Sequence, residues 1–293
     1  MVYALADRGS SVLATARLTI LAAATVVSVS GVADALKPNT VYAFDRYVRL
    51  TEQRIQGELG GSQPLLWIDR QPAGARPALM SRLEKGEVIS EKLETRDQGK
   101  QIDAPGALIH HWVGTVLLPG ARLTRVKPII QDYNHYSEWF SPLIRRSQIN
   151  AHNGDRFLVA MRTEMHKVLT VTVDADYAVD YQTVSPTSFH AKTIATAIHI
   201  VDSAGTATER RTPAEQTFGF LWRLNTYCSF SEVPAGTIEQ CESISLTRDV
   251  PFGLGTIVRP LVSGIPRETL EFTLGQVRKL VSLPAHQQPP TSH

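Results

Sequence analysis

The residues whose types could do chemistry are few and scattered. His110 and His111 are neighbours on a predicted strand, where successive side chains point to opposite faces, so their rings cannot chelate one ion together. The other histidines show neither His-x-His nor His-Glu-x-x-His spacing, and no metal is expected. A serine nucleophile would need a Gly-x-Ser-x-Gly elbow, which the chain lacks. Nothing next to Cys228 or Cys241 would serve as a base or lower a thiol pKa. No glycine-rich phosphate loop is present, so no catalytic residue and no cofactor are assigned. Asp174, Asp176 and Asp180 fall on the polar face of their strand and read as solvated carboxylates. Glu242 and Arg248 differ. Counted along their strand they share the apolar face with Ile244, Leu246 and, across a hairpin, Trp222. A charge on a dry face is costly unless paired, and a few polar groups in an apolar pocket orient a ligand. Both are candidate ligand-binding residues, with structural pairing as the alternative. Tyr136, Trp139 and Phe140 cluster ahead of Ser141-Pro142. They could form a pocket mouth, a tip in transient membrane contact, or plain helix-to-sheet packing.

The elements that must position these residues follow from periodicity. Residues 40–59 suit a helix ending at Gly60-Gly61, with a short strand at Leu65–Asp69 and a loop at Gln71–Pro77. Strands are expected from Val88 to Leu93 and from Ala107 to Leu118. A helical pattern covers Leu123–Phe140, kinked or divided at Pro128. From Leu169 to Tyr181 the apolar residues fall on odd positions, which predicts a strand with one dry face. Arg156–Met165 reads as its hairpin partner, Phe189–Val201 as a further strand and Thr206–Gln216 as a loop. Phe218–Val233 and Thr237–Arg248 flank a Pro234-Ala235-Gly236 turn, and an amphipathic helix spans Leu254–Leu283 with an interruption at Pro260.

The first 35 residues read as an export signal. Arg8 and Arg17 lead into the apolar run Leu18–Val32, then Ala33-Asp34-Ala35 gives a small-x-small cleavage pattern before Leu36. The run is short for a membrane span, which needs about 20 apolar residues. A periplasmic or secreted location is therefore expected, which permits a disulfide between the only two cysteines. The register decides. A three-residue loop ending in Gly236 sets Val233 opposite Thr237 and Cys228 opposite Glu242, so the cysteines point to opposite faces and no bridge is expected. The net charge of +2 with no clustered Lys and Arg gives no case for nucleic acid. The organisation expected is an export signal over 1–35, a helical extension over 36–80, one domain over 81–283 and a disordered tail over 284–293.

Three stretches carry a resemblance. One is Ile109-His110-His111-Trp112-Val113-Gly114-Thr115-Val116, running through Pro119-Gly120 to Asp132-Tyr133. The second is Phe220-Leu221-Trp222-Arg223-Leu224-Asn225. The third runs from Glu242-Ser243-Ile244-Ser245-Leu246 through Asp249-Val250-Pro251 to Ile265-Pro266-Arg267-Glu268. Over about residues 83–282 the chain resembles the START-like (SRPBCC) superfamily, which includes the birch-pollen-allergen and polyketide-cyclase families. The resemblance implies an α+β helix-grip (START/Bet v 1-like) fold, a curved antiparallel sheet wrapped around a long C-terminal helix. It also implies a cavity for an apolar, lipid-like small molecule. Its walls would be Val171, Val173 and Tyr177 of the alternating strand, Trp222 and Leu224 of the hairpin, and Leu261, Leu270 and Leu274 of the helix stripe, with Trp139 nearby. No catalytic residue is carried over. A cyclase- or aromatase-type enzyme on the same scaffold, and a solid structural domain that binds nothing, stay open.

Overall fold

The computed structural model describes residues 36–166, 170–216, 221–249 and 255–283, with backbone alone over 255–263. The expected export signal and the C-terminal tail lie outside the described residues.

Helix α1 (Pro38–Leu59) starts on a proline, whose fixed φ suits a first turn, and ends at Gly60. Its buried positions Phe44, Tyr47, Thr51, Ile55 and Glu58 recur at helical spacing and form one stripe. Where a short strand and a loop were expected, a 3-10 turn at Trp67–Arg70 leads into α2 (Ala75–Glu84). Leu66 and Ile68 are buried with Leu83 and Ile238 instead of pairing in a ladder.

Eleven strands are described: β1 (Ile89–Lys92), β2 (Arg96–Asp97), β3 (Lys100–Gln101), β4 (Ala107–Pro119), β5 (Ile144–Asn153), β6 (Arg156–His166), β7 (Thr170–Ser185), β8 (Ser188–Asp202), β9 (Arg210–Pro213), β10 (Leu221–Val233) and β11 (Gly236–Arg248). Between β4 and β5 the expected long helix divides into α3 (Leu123–Gln131), a 3-10 turn and α4 (Tyr136–Trp139). The break falls at Asp132, whose backbone leaves helical geometry, while Pro128 stays inside α3. The C-terminal helix α5 (Gly255–Ser282) is continuous through Pro260. Strand β5 was not expected, and β9 lies in the segment read as a loop.

Nine of these strands form one antiparallel sheet in the order β1-β4-β11-β10-β8-β7-β6-β5, with β9 on β8, while β2 and β3 pair separately. Helix α5 lies over β4 and β11. A Cβ added to Gly114 of β4 would meet Leu274 Cδ1 at 2.6 Å and Leu270 at 3.0 Å, so glycine permits the close approach of helix to strand. That contact defines the inner face. The register carries it across the sheet, through Gly114 opposite Cys241, Cys241 opposite Cys228, Cys228 opposite Ala191 and Ala191 opposite Tyr181. The odd-numbered residues of β7 therefore face α5. This is the helix-grip arrangement.

The hairpin corrects the expected register. Val233 pairs with Gly236 across a two-residue Pro234-Ala235 loop, so Cys228 stands opposite Cys241 and the two form a disulfide. The expected three-residue loop placed the strands one residue out of step. That single residue moves every side chain of one arm to the other face relative to its partner.

The outer face carries a different set. Arg162 donates to both oxygens of Asp174, at 2.6 and 2.8 Å, and Arg211 approaches the same carboxylate. Asp174 is thus one member of an ion network on the β6–β7 surface. Farther along the sheet, over β10, β11 and β4, α1 covers the outer face.

Candidate ligand-binding site

Two apolar layers sandwich the central strands, and the predicted site residues distribute between them. Val173 and Ala175, inner by the alternation of β7, are buried in one cluster with Ile198, Ala214 and Trp222, a cluster that also takes in Ile244, Leu246 and the α1 residues Phe44 and Tyr47 of the outer side, and half-buried Val171, Tyr177 and Leu224 pack against it. A register shift between Leu221 and Arg223 leaves Trp222 outside the alternation of β10. The indole N–H of Trp222 donates to the Ala214 carbonyl at 3.1 Å. Leu224 stands opposite Ser245, which the alternation of β11 places on the inner face with Cys241. Leu270 and Leu274 project from α5 onto β4 and are buried with Val116, Leu118 and Trp139. Leu261 lies on α5 where the side chains are outside the described residues.

Glu242 is brought to the opposite side. It follows Cys241 on β11, and its partners come from α1 and from the outer row of β4. His111 Nε2 donates to Glu242 Oε1 at 2.6 Å, and Arg54 of α1 donates to the same oxygen. His111 Nδ1 lies 2.8 Å from the Tyr47 hydroxyl, which accepts from the Thr95 amide. Arg54 also pairs with Glu58, which in turn binds Arg70 at 2.8 Å. Burial alone would raise the Glu242 pKa, but the His111 hydrogen bond and the Arg54 charge hold it below the ordinary carboxylate value. The apolar neighbours expected beside Glu242 are present, since Ile244 and Leu246 share its face, but α1 covers them with Phe44 and Tyr47. Arg248 ends β11 opposite Ala107, on the same alternation as Glu242. The structure therefore separates these two charges from the inner row.

The neighbouring histidine lies on the other face. His110 Nε2 is 2.8 Å from Thr247 Oγ1, and burial, with the Lys92 charge nearby, lowers its pKa to about 4. The adjacent rings thus face opposite ways.

What sequence reasoning missed is the polar content of the inner row. Glu239, Ser243, Ser245 and Thr247 of β11 all share the face of Cys241. Glu239 is 3% exposed and stands opposite Phe230 on one side and Val116 on the other. Its Oε1 lies 3.7 Å from Cys241 Sγ, which has no hydrogen to donate once bridged, so this is a contact and not a hydrogen bond. Its Oε2 has no hydrogen-bond partner, and neither do Ser245 Oγ or the indole nitrogen of Trp139, all three being buried. Burial raises the Glu239 pKa to about 8, so the group is a neutral acid, able to donate, at neutral pH. The tyrosines near it are already committed. Tyr133 and Tyr181 hydroxyls meet at 2.6 Å, and the Tyr136 and Tyr181 hydroxyls donate to the Ile130 carbonyl at 2.6 and 3.2 Å. Burial holds all three phenols well above their ordinary pKa. A signal for Glu239 was available, because Cys228 and Cys241 are equidistant from Pro234-Ala235 and only a two-residue turn lets them meet.

A separate pocket of about 110 Å³ lies between α1 and the outer face, lined by Glu52, Gln56, His190, Lys192 and Tyr227 among others. Lys192 pairs with Glu52 at 2.6 Å and the Tyr227 hydroxyl donates to the same carboxylate at 2.7 Å. Sites for drug-sized ligands run to about 300–1,000 Å³, so this pocket is too small for a lipid.

No protein-family model matches the sequence, and no curated protein matches it. Among solved structures the chain is similar to a STAR-related lipid transfer protein from Xanthomonas axonopodis, at 14% identity over 66% of this chain and 99% of that one, with a TM-score of 0.43. It is also similar to a START superfamily protein from Mycobacterium smegmatis, at 18% identity over 58% and 96%, with a TM-score of 0.41. A third is the Zhui aromatase/cyclase from Streptomyces sp. R1128, at 11% identity over 62% and 100%, with a TM-score of 0.38. At these identities and scores they add nothing on function. The START-like description of the fold rests on the sheet order, the register and the closing helix α5.

Proposed function

We propose that this is an exported START-like protein that binds or carries a hydrophobic, lipid-like small molecule between the inner face of the sheet and α5. The observation that carries the reading is the unmatched polar row inside an apolar layer. Glu239 Oε2, Ser245 Oγ and Trp139 Nε1 are buried without partners on the side that α5 closes. A polar group buried without a hydrogen bond costs about 1–3 kcal/mol, so a plain filled core gains nothing from keeping three of them. A small-molecule site needs such a set, mostly apolar walls with a few polar points that fix orientation. Val171, Val173, Tyr177, Trp222 and Leu224 are the proposed walls on the sheet. Leu270 and Leu274 of α5 form the roof, and Trp139 stands at one end. Burial of the ligand's apolar surface would supply the affinity, at roughly 25 cal/mol per Å² before the costs of association. The Cys228–Cys241 bridge supports export, because disulfides persist in oxidising compartments.

Native mass spectrometry and solvent extraction of the full chain, expressed with its leader, are expected to recover an apolar molecule. N-terminal sequencing of the exported protein is expected to begin at Leu36. A protein that extracts clean and takes up neither fluorescent fatty-acid nor sterol probes would refute the binding reading.

A further inference from the structure

The two buried groups without partners beside the α4 aromatic cluster share a chemistry that narrows the ligand. The indole Nε1–H of Trp139 is a donor only, and it is buried with no acceptor. Glu239 is buried on the inner face of β11 with Oε2 free of any partner, burial raises its pKa, and among the described residues no cation pairs with it. The surrounding phenols do not complete either group, and their protons are taken up by one another and by the Ile130 carbonyl. Trp139 and Glu239 belong to one neighbourhood. Trp139 is buried in one cluster with Val116 and Phe230, the two residues that stand opposite Glu239 across its ladders.

We propose that Glu239 and Trp139 form the polar end of the binding site and receive an uncharged oxygen, hydroxyl or carbonyl, at the head of the apolar ligand. This deepens the binding function proposed above and rests on it. Held as the neutral acid, Glu239 can donate its O–H, as Trp139 donates its N–H, so each group calls for an acceptor oxygen. A carboxylate head would be stripped of water with no cation to meet it, and it would stand against a second acid. A quaternary ammonium head has no lone pair to offer and would leave the Trp139 N–H without an acceptor. The head is thus selected as neutral and oxygen-bearing, that of an alcohol, ketone or ester.

The test uses the full chain, delipidated, with the neutral fluorophore N-phenyl-1-naphthylamine as reporter. 1-Dodecanol and dodecanoate compete at pH 6.5 against wild type, Glu239→Gln and Glu239→Leu, each variant checked for folding by circular dichroism. Wild type is expected to prefer the alcohol at least tenfold. Glu239→Gln, which keeps a neutral donor, should retain most of that preference, and Glu239→Leu should reduce it to twofold or less. An alcohol-to-carboxylate ratio that is the same in wild type and Glu239→Leu overturns the assignment, while reporter uptake leaves the binding function standing. No reporter uptake and no competitor binding by wild type would overturn both.

Discussion

The two faces of the central strands treat their buried glutamates in opposite ways. On the outer face Glu242 is 2% exposed and accepts from His111 and Arg54, with Tyr47, Glu58 and Arg70 completing the chain of partners. Gln240, also on that face, accepts from the Trp67 backbone amide. On the inner face Glu239, as buried and only three residues away, has an oxygen with no partner. A matched set of buried charges reads as an interface built to hold one element, here α1, in place. An unmatched set reads as a surface kept for something that arrives later.

The largest effect should come from the matched side. Glu242→Leu leaves Arg54 and His111 facing each other without the carboxylate, and breaking a buried pair by removing one partner costs about 3–5 kcal/mol. Urea unfolding would measure it, and a loss below 1 kcal/mol would mean that the outer network does not hold α1. The next concerns the bridge on the inner face. Replacing Cys228 and Cys241 together by alanine opens a link between positions 13 residues apart, and the chain-entropy account predicts a loss of about 3 kcal/mol. A urea midpoint unchanged from that of the oxidised wild type would contradict this.

The third test sharpens the contrast, because its sign is reversed. The Glu239 carboxyl has a folded pKa of about 8, above its ordinary value near 4.5. Below the ordinary value both folded and unfolded chains hold the proton, and no penalty exists. As pH rises from about 5 to 8 the unfolded chain releases its proton and the folded one does not, so stability falls by up to about 1.4 kcal/mol per unit and then levels off. Glu239→Gln should remove that slope in the ligand-free protein and be the more stable form at pH 8. Parallel pH profiles for the two proteins would show that Glu239 is not held neutral in a dry site.

Much of this arrangement was legible in the sequence, and what was not has definite causes. The odd-position run of β7 identified Val171, Val173 and Tyr177 as one dry row because a half-buried strand must alternate. The long closing helix was legible from its apolar stripe, although Pro260 suggested a break that α5 does not make. Strand β5 was missed because Ile144–Asn153 is rich in Arg, Gln and Asn and sits at the sheet edge, where most of its side chains are exposed or half-buried. The assignment of Glu242 to the inner row failed twice over. Pro-Ala-Gly admits both a two- and a three-residue loop, and nothing in 36–80 announced that α1 would make the outer face dry as well. An apolar row in a strand reports that something covers it, not what.

The bridge between β10 and β11 also acts as a pin. A hairpin arm free to slide by one position would exchange its rows, turning Glu239 out toward α1 and swinging Glu242 in beneath α5. Joining Cys228 to Cys241 across the ladder forbids that step. The oxidised protein is therefore committed to presenting the solitary acid, and not the escorted one, to whatever enters.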